Sequence, residues 1–417
     1  MNNLSLYIHI PFCVRKCNYC DFLSAPCDEK TRQEYVDALC YEIKERAVRF
    51  RDRKVDTVFF GGGTPSMLSG EQMTKIMDAL KKGFEILPEA EISMEMNPGT
   101  VDREKLQCYK KAGINRLSIG LQSANNEELK TLGRIHTWED FLQTWEMVRE
   151  EEFTNVNIDL MSALPGQNLE TYTETLDKVL ALKPEHISAY SLIVEEGTLF
   201  DDWFGEETVR VKGLDNAEKN IPDFVKKLEL PDEITDRQMY ELTEKKLEEN
   251  GYYRYEISNY AMPGCECKHN VGYWKRKEYL GLGLGSASLL ADNPLKGKKN
   301  IRCSNTADLN CYLNISVEPG MFGDHFFDEN KWVSEQTGLT QNDQMEEFMF
   351  LGLRMMEGIS PAEFEKQFGQ SLQEVYGSKI EKLEKQGLLE YRKDNGNYAL
   401  TKQGIDVSNQ VFVEFLL

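Results

Sequence analysis

The stretch Leu4-Ser-Leu-Tyr-Ile-His-Ile-Pro-Phe-Cys-Val-Arg-Lys-Cys-Asn-Tyr-Cys-Asp-Phe22 sets the reading of the whole chain. It predicts a short strand over Leu4 to Ile10 that stops at Pro11, where the backbone loses a hydrogen-bond donor. A loop follows with Cys13, Cys17 and Cys20 in the spacing C-x3-C-x2-C. A structural zinc site usually closes with four protein ligands, commonly as two C-x2-C-type pairs, and this loop offers three thiolates. Three thiolates suit a [4Fe–4S] cluster with one iron left open to a small molecule, since full ligation takes four cysteines. Two other readings stand beside it: a zinc knuckle that borrows His9 or Cys27, and cysteines packed as small apolar side chains. Arg15, Lys16 and Asn18 in the same loop weigh against plain packing.

Outward from this loop the pattern alternates. A helix is predicted from about Thr31 to Arg49, with an apolar stripe at Val36, Leu39, Cys40, Ile43 and Ala47 that places Cys40 in the core. Strands are predicted at Val55–Phe60, Glu91–Met96, Arg116–Leu121, Asn155–Leu160 and His186–Val194, separated by helical stretches. With the opening strand they make six β-α units, a rhythm that implies a parallel sheet. Such sheets carry their chemistry at the carboxyl ends of the strands. The cysteine loop, Gly61-Gly-Gly-Thr-Pro65, Glu95, Gln122 and Asp159 all fall at those ends. The glycine run lacks the G-K-[ST] ending of a phosphate-cradling loop.

The chain has 417 residues, enough for one large domain and a smaller one. A formal net charge of −21 argues against a nucleic-acid backbone as the main partner. Ten cysteines are too sparse for a disulfide scaffold, and no run approaches the roughly 18 apolar residues of a membrane span. The first residues lack a signal-peptide pattern, so the expected address is cytoplasmic, where clustered cysteines point to metal or catalysis. Residues 200–235 are charged and weakly periodic, the look of a surface insertion or linker. From 341 onward, helices at 343–356, 360–367 and 371–386 precede Leu388–Arg392, an Asn395-Gly396 turn and Tyr398–Thr401, a winged-helix-like order. This segment holds 8 Lys/Arg against 13 Asp/Glu, so a structural or substrate-covering role is expected rather than DNA binding.

C-x3-C-x2-C with Tyr19 just before the last cysteine resembles the signature of the radical S-adenosylmethionine (SAM) enzymes. The strings SLYIHIPFC, CNYCDF and GGGTP are similar to the HemN/HemW branch of that superfamily. The resemblance implies a partial (β/α)6 TIM-like barrel at residues 1–200 and an extension at 201–340. It also implies a HemN-type winged-helix-like domain at 341–417. Cys13, Cys17 and Cys20 would hold a [4Fe–4S] cluster whose fourth iron takes SAM through its amino and carboxylate groups. Tyr7, Gly61, Gly62, Gly63, Thr64, Glu95, Gln122, Arg134 and Asp159 match positions that contact SAM, and Tyr19 matches the aromatic that faces a second cofactor. Arg134 suits a carboxylate through its planar fork.

Coproporphyrinogen dehydrogenases of this branch carry a further cysteine two residues after the third ligand; this chain has Phe22 there. Phe22, KHNVGYW and MFLGLRMMEGIS look like the HemW side, regarded as heme-binding chaperones. The HNxxYW motif makes His269 a candidate heme ligand beside an aromatic pair. Two features depart from the pattern: Gly283–Ser288 lacks the histidine usual there, and the 200–235 segment is long. The implied partners are heme or a porphyrin, a heme-acceptor protein and an external electron donor. The alternatives are an oxygen-independent coproporphyrinogen III dehydrogenase of porphyrin biosynthesis, acting by radical decarboxylation of propionates, and another heme-modifying radical enzyme.

Overall fold

The first strand, β1 (Leu4–Ile10), is buried on both faces except at Tyr7, as befits the middle of a parallel sheet. A computed structural model describes residues 3–205, 221–291, 300–315 and 332–417. In it β1 is followed by β2 (Lys54–Gly62), β3 (Glu85–Met96), β4 (Arg116–Gln122), β5 (Val156–Ser162) and β6 (His186–Ser191). All six lie side by side and parallel in chain order. The crossovers are α1 (Glu29–Ala47), α2 (Gly70–Gly83), α3 (Arg103–Ala112), α4 (Asn126–Thr131), α5 (Trp138–Glu150) and α6 (Leu169–Leu182). Their starts are set locally. Asp28, Ser69, Asp102, Thr137 and Asn168 each accept a first-turn N–H, and Ser69 with Gln72 forms a capping box.

The period-2 alternation of side chains divides the sheet into two unlike faces. Leu6, Ile8, Val58, Phe60, Met94, Leu117, Ile119, Ile158, Leu160 and Ile187 join the crossover helices in the main core. The other face carries Tyr7, Phe59, Glu95, Arg116, Ser118, Asn157, Asp159 and His186, aligned strand to strand. This polar face is where ligands can be held.

The sheet runs on past both ends of the six-strand unit. Beyond β6 come α7 (Leu199–Phe204) and α8 (Glu233–Glu249), then β7 (Tyr253–Glu256) and β8 (Asn259–Ala261). Strands β7 and β8 form a hairpin, with β8 antiparallel on β6. After α9 (Lys268–Trp274) comes β9 (Tyr279–Leu282), which pairs parallel with β1. Then β10 (Ala287–Ala291), β11 (Asn300–Asn305) and β12 (Val333–Leu339) extend that side antiparallel. Among the described residues the result is a 12-stranded sheet.

Residues 206–220 of the charged segment lie outside the described residues, but its flanks correct the linker reading. Phe200, Trp203 and Phe204, at helical spacing, bury with Ile221 and Val225 against Leu132 and Met161, and Tyr19 packs on this cluster. The carboxyl-terminal segment has its own core built on Met349, Phe364, Tyr376, Ile380 and Phe415. Its elements are α11 (Gln341–Gly352), which follows the short α10 (Leu309–Leu313), then α12 (Pro361–Phe368), α13 (Leu372–Lys385) and the hairpin β13 (Leu389–Arg392)–β14 (Asn397–Leu400). The Asn395-Gly396 turn closes that hairpin with Gly396 at φ +74°.

Candidate cofactor site

Contacts within the cysteine loop, from residues 131–133 and from α7 hold it in place. Pro11 and Cys13 pair with Ala25, closing its base. Asn18 bonds Leu132 and Thr131, and Arg15 donates to the Gly133 carbonyl at 2.7 Å. The Phe200 N–H donates to the Asn18 carbonyl at 3.0 Å, which brings α7 over the loop. The three cysteines are free thiols, each half-buried. Burial pushes the Cys20 thiol up to about 11.

A ring of polar contacts joins the first two cysteines. Cys13 Sγ lies 3.3 Å from Thr64 Oγ1, and Thr64 Oγ1 accepts from Asn97 Nδ2 at 2.9 Å. Asn97 Oδ1 accepts from Arg134 Nη2 at 2.6 Å, and Arg134 Nη1 donates to Cys17 Sγ at 3.5 Å. Arg134 also donates to the Gly120 carbonyl. Among the described residues no carboxylate pairs with Arg134, and its buried Nε has no hydrogen-bond partner. An unpaired guanidinium at a mouth lined by thiols suits an anionic ligand.

Beneath that ring stand two carboxylates. Glu95 Oε2 accepts from the Gly62 N–H at 3.2 Å. Burial first, and the charge of Asp159 second, push its carboxyl from 4.5 up to about 8. Asp159 accepts from Asn157 Nδ2 at 2.6 Å and from Ser118 Oγ at 3.3 Å, and burial raises it as well. Gln122, the last residue of β4, sits at φ +74°, and its Oε1 accepts from Tyr190 at 3.1 Å. Such a backbone outlier in a non-glycine residue aims the side chain where an extended strand would not.

The glycine run is shaped by contact. Gly62 has φ +109°, and a Cβ there would lie 2.5 Å from the His9 ring. A Cβ on Gly63 would lie 2.7 Å from the Phe12 carbonyl oxygen. Tyr7 donates to His9 Nδ1 at 3.1 Å, and His9 Nε2–H donates to the Leu23 carbonyl at 3.0 Å. Both nitrogens of His9 are therefore engaged, which removes it as a zinc ligand. Tyr19 packs 6.3 Å from Phe200, centroid to centroid, and burial raises its hydroxyl.

Cys13, Cys17, Thr64, Glu95, Gln122 and Arg134 thus gather with the glycine run toward the carboxyl ends of the strands, and Tyr7 and Asp159 join them from the middles of β1 and β5. Asn97 and Tyr190 join them. The only sequence signal for Asn97 was its place at the end of β3; Tyr190 gave none. His269 does not join. It lies in α9, 1% exposed, with Nδ1 2.9 Å from Thr57 Oγ1 and Nε2 2.9 Å from Tyr273 Oη. In this arrangement neither nitrogen is free to ligate a heme iron.

The donor set fits a cluster and SAM. Three free cysteines share one loop, and a [4Fe–4S] cluster held by three thiolates leaves one iron for another ligand. Donors from Thr64 and Arg134 reach two of the sulfurs, as an electron-rich sulfur site requires. No helix among the described residues is long and apolar enough to cross a membrane.

Fold and donor set define a radical SAM barrel. Residues 7–179 match the Radical SAM superfamily, and 339–407 match the HemN C-terminal domain. The chain is 35% identical to the heme chaperone HemW of Bacillus subtilis (strain 168) over 413 residues, 99% of each chain. It is 38% identical to that of Escherichia coli (strain K12) over 284 residues, 68% of this chain and 69% of the relative. The coproporphyrinogen III oxidase HemN of Escherichia coli, described as a radical SAM enzyme, matches in fold with a TM-score of 0.78 at 24% identity. That match covers 100% of this chain and 90% of the other. The chain belongs to the HemN/HemW family of radical SAM proteins, on its HemW side.

Proposed function

We propose that this protein binds heme and passes it to an acceptor protein, with a [4Fe–4S] cluster on Cys13, Cys17 and Cys20 and SAM at the mouth of the barrel. The observation that carries the reading is end-to-end similarity to proteins named heme chaperones, 35% over 99% of both chains. Phe22, where the dehydrogenases have a further cysteine, supports the same side of the family. When bound and reduced by an external donor, the cluster would supply reductive cleavage of SAM. The chain's own residues do the binding. Arg134 offers its unpaired guanidinium to a carboxylate, and Glu95 and Asp159 present oxygens to hydroxyl or amino groups. Thr64 and Arg134 steady two cysteine sulfurs. The raised Glu95 carboxyl keeps two close carboxylates from being ionised together near neutrality.

The test is anaerobic. The cluster is reconstituted, reductant and SAM are added, and heme or coproporphyrinogen III is offered in parallel. Heme bound unchanged and passed to an apo-cytochrome is the expected result; conversion of coproporphyrinogen to protoporphyrinogen would overturn the reading. Cys17→Ser should abolish cluster assembly, read as loss of iron and of the visible charge-transfer absorption. A variant that keeps both refutes the ligand assignment.

A further inference from the structure

The motif Lys268–Trp274 packs on the polar face of the sheet, at the end away from the cysteine loop. Its first N–H groups are held by Glu91, near the middle of β3: Lys268 N–H donates at 2.9 Å and His269 N–H at 3.1 Å. Thr57, which fixes one His269 nitrogen, stands two residues before Phe59 on the same face of β2. The His269 ring stacks on Phe59 with centroids 5.1 Å apart and planes 24° apart. Phe59 in turn stacks on Tyr7 at 6.3 Å and 20°. Tyr7 donates to His9, and His9 donates to Leu23, three residues past Cys20. The column His269–Phe59–Tyr7–His9–Leu23 thus runs unbroken from the floor of the sheet to the cysteine loop. Gly61 leaves room for it, since a Cβ there would come within 3.0 Å of Phe59 and 3.1 Å of Tyr7.

We infer that His269 is a positioning residue for the cofactor mouth, acting through Phe59 and Tyr7 on the cysteine loop, rather than an axial ligand of heme. Both of its nitrogens are spent on Thr57 and Tyr273, and it is 1% exposed. Ligation through either nitrogen would displace the hydroxyl bonded there and leave it unpaired in a buried place, and bringing the 1% exposed ring out to a porphyrin would cost the Phe59 stack as well. An imidazole so placed holds two hydroxyls at a fixed separation and offers a flat face for stacking. The inference rests in part on the proposed binding of SAM and heme, so its test includes a readout that needs neither.

Glutamine separates the two roles: its amide can bond both hydroxyls, but it is a poor heme ligand. Three variants of the full chain serve, His269→Gln, His269→Ala and Phe59→Leu. Hydrogen exchange of residues 12–25 is measured on cofactor-free protein. SAM affinity and the heme Soret band are measured on reconstituted protein. His269→Ala and Phe59→Leu should speed exchange in the cysteine loop and weaken SAM binding by about tenfold. His269→Gln should stay within about threefold of the parent, and all three should keep the parent's Soret band. Loss of the Soret band in His269→Gln with SAM affinity unchanged would overturn the inference. So would unaltered cysteine-loop exchange in both His269→Ala and Phe59→Leu. If the parent chain binds no SAM or no heme, the proposed function fails while the exchange result still decides the column.

Discussion

Glu95 costs the fold stability where it stands. Its carboxyl titrates at about 8 in the fold against an ordinary 4.5, because burial and then Asp159 disfavour its charge. Between those values the native chain holds a proton that the unfolded chain has released. Stability of the cofactor-free protein therefore falls as pH rises from about 4.5 through about 8. Glu95→Gln removes that dependence. In urea melts from pH 5.5 to 8.5 the variant should gain on the parent by up to about 1.4 kcal/mol per pH unit, less where water reaches the carboxyl. A difference that stays flat with pH would refute the raised carboxyl. Gly62→Ala tests the glycine run at the same scale. It forces a side chain into φ +109° and against the His9 ring, so a loss of about 1–3 kcal/mol is expected in the same melts. Most of these residues were legible because motif strings marked them one by one. Asn97, Tyr190 and the satisfied state of His269 were not, since they depend on which strands and helices meet.

At the scale of elements, alternation exposed β1 to β6 and their helices. It did not expose the amino-terminal half of β3, where Glu85–Ile86 pair with Lys54–Val55 before the register shifts past Val55. Nor did it show β9, whose glycines give little strand signal and whose partner β1 lies far away in sequence. The short helix α9 is the clearest case of an element held from outside. Seven residues do not make a stable helix alone, and no side chain of its own caps it. Glu91 supplies that cap from β3, binding two of its first N–H groups. Glu91→Ala should cost about 1–2 kcal/mol in thermal or urea melts. Because α9 carries His269, the same variant should also speed hydrogen exchange in the cysteine loop. A variant as stable as the parent would mean that α9 is held by packing alone.

Across the whole molecule, the barrel and the carboxyl-terminal segment meet through specific polar contacts. Met355 forms a β-bridge with Glu256, Met356 N–H donates to the Tyr255 carbonyl, and Lys275 pairs with Glu357 at 2.7 Å. The central contact is Glu347 of α11. It accepts from Arg276, just past α9, at 2.9 Å and from Arg302 of β11 at 2.7 Å. Neither composition nor periodicity marks this joint, which joins residues 45 and 71 positions apart. Arg276 is buried, and burial lowers its guanidinium from the usual value, so it depends on the carboxylate for compensation. Removing one partner of a buried ionic group costs about 3–5 kcal/mol, because a charge is left without its counterpart. Replacing the group by apolar side chains of similar size is often neutral. Glu347→Ala should therefore destabilise strongly and, in calorimetry, split the transition, the carboxyl-terminal segment melting first on its own core. Glu347→Leu combined with Arg276→Met should recover most of the loss, leaving the partly exposed Arg302 to water. If the double variant is no better than Glu347→Ala, the joint is held by the geometry of those charges and not by relief of an unpaired one.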